Sequence, residues 1–203
     1  NGALAAQAQD TEINGVTAVD VSINTTGTAG GLIGLSQYNV SLNHTAVLNS
    51  DITSRIGGGL IGKAIAYNGK VINNFTEGKL TAHQSSSALV NLGGIIGTVI
   101  GSDNASLEST AATAFTIQNS YTHSEINSTL SNPEITVYTG GLVGQVNSYI
   151  ALENNYSNSD LTNHVNANRP GGIIGYAQPT NGYYTSIVNN AWNEEKRFEN
   201  ASG

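Results

Sequence analysis

The sequence predicts an all-β fold, a right-handed parallel β-solenoid (β-helix) of about five irregular coils. Three observations carry that expectation: a glycine pentad that recurs along the chain, an alternating block that follows each copy, and a composition suited to a slim core. Of 203 residues, 24 are Gly, none is Cys or Met, and 38% are hydrophobic but only 6% aromatic. A core of this kind is built in thin layers from Ile, Val, Leu and Ala.

The pentad is Gly-Gly-apolar-apolar-Gly. It occurs as Gly30-Gly31-Leu32-Ile33-Gly34, Gly58-Gly59-Leu60-Ile61-Gly62, Gly93-Gly94-Ile95-Ile96-Gly97, Gly140-Gly141-Leu142-Val143-Gly144 and Gly171-Gly172-Ile173-Ile174-Gly175. Self-similarity of this sort marks a repeat architecture, in which each unit cannot bury its own apolar face and stacks on its neighbours. The apolar pair reads as a short strand with one side chain in and one out, and the glycines as corners with positive φ or bulges. A phosphate-binding reading fails, because that needs one Gly-rich turn opening a helix, and here the pattern recurs among strands.

The second block is clearest as Val71-Ile72-Asn73-Asn74-Phe75-Thr76-Glu77-Gly78-Lys79-Leu80, Ile117-Gln118-Asn119-Ser120-Tyr121-Thr122-His123-Ser124-Glu125-Ile126 and Leu152-Glu153-Asn154-Asn155-Tyr156-Ser157-Asn158-Ser159-Asp160-Leu161. Contracted or broken versions start at Val47 and Ile187. Its period of two predicts a strand or strand pair with Ile117, Asn119 and Tyr121 on one face. Asn74, Asn119 or Asn154, and Asn189 are candidates for a turn ladder of stacked amides, or for simple turn formers. Phe75, Tyr121 and Tyr156 form an aromatic column, read as ordinary packing or as a sugar-stacking strip.

The two blocks resemble the GLUG motif, a short repeat of bacterial surface adhesins and of the non-catalytic N-terminal regions of secreted metallopeptidases such as IgA-cleaving proteases. The resemblance covers about residues 30 to 195 and includes an aromatic-acidic ending at Trp192-Asn193-Glu194-Glu195, with Ala191 where an aromatic is usual. It implies an extracellular or cell-surface module that binds without catalysing a reaction.

Residues 30–192 are therefore expected to be the solenoid, 1–29 a cap supplied by the strand Val16–Ile23, and 193–203 a polar cap or linker. The opening Ala3-Leu4-Ala5-Ala6-Gln7-Ala8 reads as the small-residue end of a processed leader or as an ordinary Ala-rich terminus. Gly31, Gly59, Gly94, Gly141 and Gly172 are 28, 35, 47 and 31 residues apart in turn, so the coils are unequal. The extra residues are expected to project as contact loops around Ile100–Ala114 and Thr129–Tyr138.

A net charge of −7 repels phosphate backbones and anionic headgroups, so no nucleic-acid partner is expected. No apolar run is long enough for membrane insertion. His44, His83, His123 and His164 are scattered, and no calcium-loop pattern occurs, so no metal or other cofactor is expected. Asp51, Asp103, Glu77, Glu125 and Glu153 are the carboxylates that glycoside chemistry would need. Glu77 and Glu125 are read as matching repeat positions, hence as surface decoration, and no catalytic residue is expected. Eight Asn-x-Ser/Thr sequons begin at Asn24, Asn39, Asn43, Asn74, Asn104, Asn127, Asn155 and Asn200, and are read as marks of exposure.

The functional expectation is an extracellular structural or adhesive module whose partner is a protein or glycan surface ligand. The alternatives are the recognition region of a larger secreted peptidase, which a His-Glu-x-x-His domain downstream would favour, and a filament subunit that binds other copies of itself.

Overall fold

The computed structural model describes residues 1–85, 88–107, 110–162, 168–177 and 185–193. The chain winds as a parallel β-solenoid through four sheets, visited in the same order in every coil. Sheet 1 stacks Ala5–Ala8, Ile33–Ser36, Ile61–Ile65, Ile96–Ile100, Val143–Asn147 and Ile174–Ala177. Sheet 2 stacks Glu12–Asn14, Ser41–Asn43, Lys70–Ile72, Phe115–Gln118, Ile150–Glu153 and Thr185–Val188. Sheet 3 is the broadest, with Thr17–Val19 and Ser22–Asn24, then Ala46–Ser54, Phe75–Ala82, Tyr121–Asn127, Tyr156–Ser157 with Asp160–Thr162, and Ala191–Trp192. Sheet 4 stacks Thr28–Gly30, Ile56–Gly58, Val90–Gly93, Val137–Gly140 and Asn168–Gly171. All pairings between these strands are parallel.

Among the described residues the stack has six coils, where about five were expected, numbered from residues 3, 31, 59, 94, 141 and 172. Residues 1–29, expected as a cap, build the first coil and contribute to all four sheets. Its pentad is degenerate. Ala5 pairs with Ile33 and Gly2 with Gly30, so Gly2-Ala3-Leu4-Ala5-Ala6 occupies the place of the glycine pentads. The Val16–Ile23 segment forms the first strand pair of sheet 3, with Asp20 between the two strands at φ 55°. Asn193 still belongs to the last coil, donating its backbone N–H to Ser157 O at 3.0 Å. The rest of the expected tail, 194–203, and His164 lie outside the described residues.

Each pentad is a corner between sheets 4 and 1, and its apolar pair does not alternate. Leu32 and Ile33 are both fully buried, as are Leu60 and Ile61. Among the described glycines only Gly15 and Gly78 have positive φ, so pentad glycines are not required for handedness. They are required for closeness. The corner drives into the interior and meets the middle of sheet 3: a Cβ on Gly59 would lie 2.9 Å from Thr76 Cβ, and one on Gly94 2.5 Å from Thr122 Oγ1. The ridge of glycines pinches the interior into two cores. One is lined by Leu32, Ile33, Leu42, Val71, Ile96 and Ile117, and the other by Ile52, Leu80, Leu92, Ile126 and Val137. Between them runs the column Val47, Thr76, Thr122, Ser157, where Thr76 donates its hydroxyl to Gly94 O at 2.8 Å.

The second block is strand, corner, strand. Asn119 turns the corner at φ 49°, which resets the alternation: Ile117 points in, Tyr121 points out and Thr122 points in. The expected sharing of a face by Ile117, Asn119 and Tyr121 is thereby corrected. Among the described residues, all ten non-glycine residues with positive φ are Asn, Asp or His. They fall in three stacked columns: Asp10-Asn39-Asn68, His44-Asn73-Asn119-Asn154-Asn189, and Asp20-Asn49. These are the side chains that tolerate the left-handed region best, and seven of the ten are Asn.

Candidate functional site

The outer face of sheet 3 is a broad regular surface, because its central strands, Ala46–Ser54, Phe75–Ala82 and Tyr121–Asn127, are the longest among the described residues. Parallel in-register stacking turns each sequence position into a column along the solenoid axis.

An amide ladder borders this face. Asn73 Nδ2 donates to Asn43 Oδ1, Asn119 to Asn73, Asn154 to Asn119 and Asn189 to Asn154, at 3.2–3.3 Å throughout. Asn74 is not part of it. It is buried one position further on, aligned with Ser120, Asn155 and Asn190 in an inner column. Its Oδ1 accepts from Thr45 N at 2.7 Å and Thr45 Oγ1 at 2.8 Å, while Nδ2 donates to Leu42 O at 3.0 Å. The physical reason is the corner: the first Asn of the pair takes the left-handed conformation and points out, and the second points in to satisfy backbone groups.

Next to the amide ladder stand the aromatics. Phe75 and Tyr121 stack at 5.2 Å between ring centroids and 6° between planes, and Tyr121 and Tyr156 at 5.4 Å and 17°. The rings lie outside the core, half-buried at Phe75 and Tyr121 and exposed at Tyr156. Ala46 and Ala191 end the column, each a small residue beside a terminal ring.

Two further columns follow, Glu77-His123-Asn158 and Asp51-Lys79-Glu125-Asp160; the register with Ala46–Ser54 shifts between Thr76 and Gly78, so Glu77 has no single partner on that strand. Glu77 thus stands opposite His123, and Glu125 opposite Lys79, so Glu77 and Glu125 are not equivalent positions; the register, not the residue type, sets the match. Lys79 Nζ is 3.1 Å from a Glu125 carboxylate oxygen, both well exposed, a pair worth well under 1 kcal/mol. His123 Nδ1 is 3.2 Å from Asn158 Nδ2. A hydroxyl and amide column, Asn24-Thr53-Thr81-Asn127-Thr162, completes the face.

The other singled-out groups are dispersed. Glu153 lies on sheet 2, Asp103 in the exposed turn after sheet 1, His44 at a corner, and His83 in the turn after Phe75–Ala82, accepting from Ser85 N at 3.1 Å. Among the described residues no group of three or more His, Asp and Glu is placed to hold a metal ion, and no helix is long and apolar enough to cross a membrane. Of the pentad glycines, the second of each (Gly31, Gly59, Gly94, Gly141 and Gly172) faces sheet 3 and forms the internal ridge, while the first and third meet neighbouring backbone.

The two expected contact loops differ. The 101–114 segment leaves the stack between sheets 1 and 2, and its described part is mostly exposed. The 129–136 segment does not project as expected: Leu130 and Ile135 are buried in the second core, and Gln84 clips it by accepting from Ser131 N at 3.0 Å and donating to Thr129 O at 2.8 Å. Asn74 and Asn155, read as exposed sequons, are 3% and 2% exposed.

Asp10 opens the corner column on the opposite flank, and its carboxyl is held below the ordinary aspartate range by hydrogen bonds, first from Asn39 Nδ2 at 2.7 Å and then from Gln9 Nε2 at 3.1 Å. Neither a family model nor a curated protein matches this chain.

Proposed function

We propose that this chain is an extracellular adhesive β-solenoid module that makes non-covalent contact with a surface or matrix ligand, protein or glycan, through the outer face of sheet 3. The observation that carries the reading is the continuous set of columns there: an amide ladder at the bordering corner, then a stacked aromatic ladder and a mixed charged column on the strands. Repetition at the coil spacing of about 4.8 Å gives many weak, equivalent contacts, the arrangement from which avidity is built. The resemblance of the two sequence blocks to GLUG repeats of bacterial adhesins supports the same reading.

The test is a binding screen against immobilised glycans and matrix proteins. It compares the wild-type chain with Tyr121→Ser/Tyr156→Ser and with a variant whose 101–114 segment is replaced by a short turn. Binding lost in the tyrosine variant and kept in the loop variant is the expected result. Binding lost only with the loop would move the contact surface to that segment, and no retained ligand at all would defeat the adhesive reading.

A further inference from the structure

The third glycine of each pentad has a different neighbour from the other two. A Cβ on Gly62 would lie 2.6 Å from Ala29 O, one on Gly97 2.6 Å from Gly62 O, one on Gly144 2.6 Å from Gly97 O, and one on Gly175 2.6 Å from Gly144 O. For Gly34 the obstacles include Ala6 O and Asn1 O, each at 2.7 Å. In every case the obstructing atom is backbone on the N-terminal side of the stack, from the coil before for Gly34, Gly97, Gly144 and Gly175 and from the end of coil 1 for Gly62. Contacts this short between a Cβ and a carbonyl do not occur without displacing one of the two chains. Any coil that has a predecessor therefore needs glycine at this position.

Coil 1 carries Ala6 there. Its partner across the stack is Gly34, from the pairing of Ala5 with Ile33. Ala6 is exposed, and with Ala3, Ala18 and Val21 it lines a cavity of about 620 Å³ at the N-terminal end of the stack.

The corner ladders end in the same coil. Each Asn amide donates toward the N-terminal end: Asn39 to Asp10 and Asn49 to Asp20. A carboxylate accepts but has no N–H to pass on. A ladder running in this direction stops at Asp10 and Asp20, and the remaining corner column opens with Gly15, which has no side chain.

We infer that coil 1 is a terminal coil: it accepts a neighbour on its C-terminal side only and refuses an in-register β-coil on the other, whether from a second copy or from another repeat of this type. Ala6 is the steric stop, and Asp10 and Asp20 end the ladders. This stands apart from the adhesive reading and bears on the filament alternative, since growth by coil-on-coil stacking through this end is closed. Lateral contacts between solenoids are untouched.

The test adds a coil that is known to stack. A copy of residues 31–58 replaces Asn1 and Gly2, so that its last glycine takes the place of Gly2 and leads into Ala3. One chain keeps coil 1 as it is, and the other carries Ala6→Gly, Asp10→Asn and Asp20→Asn. Amide hydrogen exchange by mass spectrometry then reads the added segment, with coils 2 to 5 as the internal standard of folding. The expected result is an added coil that exchanges as an unfolded chain before Ala6 and at least about tenfold more slowly in the triple variant. Slow exchange of the added coil on the unmodified coil 1 would overturn the inference. Fast exchange in both chains would overturn the assignment of the stop to these three residues.

Discussion

Thr76 hands its hydroxyl hydrogen to Gly94 O at 2.8 Å, across the interior and from one coil to the next. The contact exists because the pentad brings bare backbone up to sheet 3, where a hydroxyl satisfies a carbonyl that would otherwise be buried unpaired. Further along the column Thr122 Oγ1 lies 3.0 Å from Ser124 Oγ and Ser157 Oγ accepts from Ser159 N at 3.3 Å, so those hydroxyls are satisfied within sheet 3.

Gly94→Ala should be among the most damaging single methyl additions in the chain. The new Cβ would run into Gly141 O of the following coil and Thr122 Oγ1 of its own, neither of which has room to yield. A loss of about 3 kcal/mol is expected, at the upper end for overpacking. Gly27→Ala is the control, since its Cβ would find only Thr25 Oγ1 at 3.7 Å, and it should change stability by less than about 0.5 kcal/mol. Urea unfolding midpoints of the two variants decide the matter; equal shifts would mean the ridge is not tightly packed.

The two asparagine columns should separate cleanly by mutation. Asn74→Ala strands Thr45 N and Leu42 O in the interior, at an expected cost of about 2–3 kcal/mol. Asn73→Ala loses two exposed ladder bonds, to Asn43 and from Asn119, and puts a poorer residue at φ 57°, costing about 1 kcal/mol. Asn73→Gly should recover most of that loss, whereas Asn74→Gly should not recover its own. Thermal or urea denaturation of the four variants provides the check.

Asp10 gives a pH-dependent signature. Its carboxyl is depressed in the folded chain, so the ionised form is favoured by folding, above all through Asn39. The associated stabilisation is present above the unfolded pKa and fades as pH falls through the lower folded value. A carbon-detected titration should show Asp10 titrating below an ordinary aspartate, and Asn39→Ala should return it toward the ordinary range. No movement on that substitution would mean that Gln9 supplies the effect instead.

Legibility in the sequence followed physical demand. The five pentads stand out because three separate close approaches each forbid a Cβ, and only glycine meets all of them. The first coil is hard to read because Ala3 and Ala6 stand where the other pentads have glycine, so its signal shrinks to Gly2 alone. The outer and inner asparagines were confused because Asn73 and Asn74 are chemically identical, and which one takes the corner depends on the register. Aligning Val71 with Ile117, Leu152 and Ile187 places Asn73 opposite Asn119, Asn154 and Asn189, so the distinction was present in the spacing. The inward turn of Leu130 and Ile135 had no such marker, since Pro133 and the polar residues around it read as a surface loop.

The aromatic ladder yields a prediction about both stability and surface. Tyr121 is its middle member, so Tyr121→Ala removes both stacks, with Phe75 and with Tyr156. Each stack is worth about 0.5–1.5 kcal/mol beyond area burial, so a loss of about 1–3 kcal/mol is expected. Tyr121→Phe keeps both ring contacts and should stay within about 0.5 kcal/mol of wild type, because surface changes that leave packing intact are small. If the ladder serves contact as well as stability, Tyr121→Phe will retain ligand in the glycan and matrix screen while Tyr156→Ala, at the exposed end of the column, will lose it with a smaller loss of stability. Parallel measurement of urea midpoint and ligand retention separates the two roles: binding that tracks stability across all three variants would make the aromatic column a structural element only.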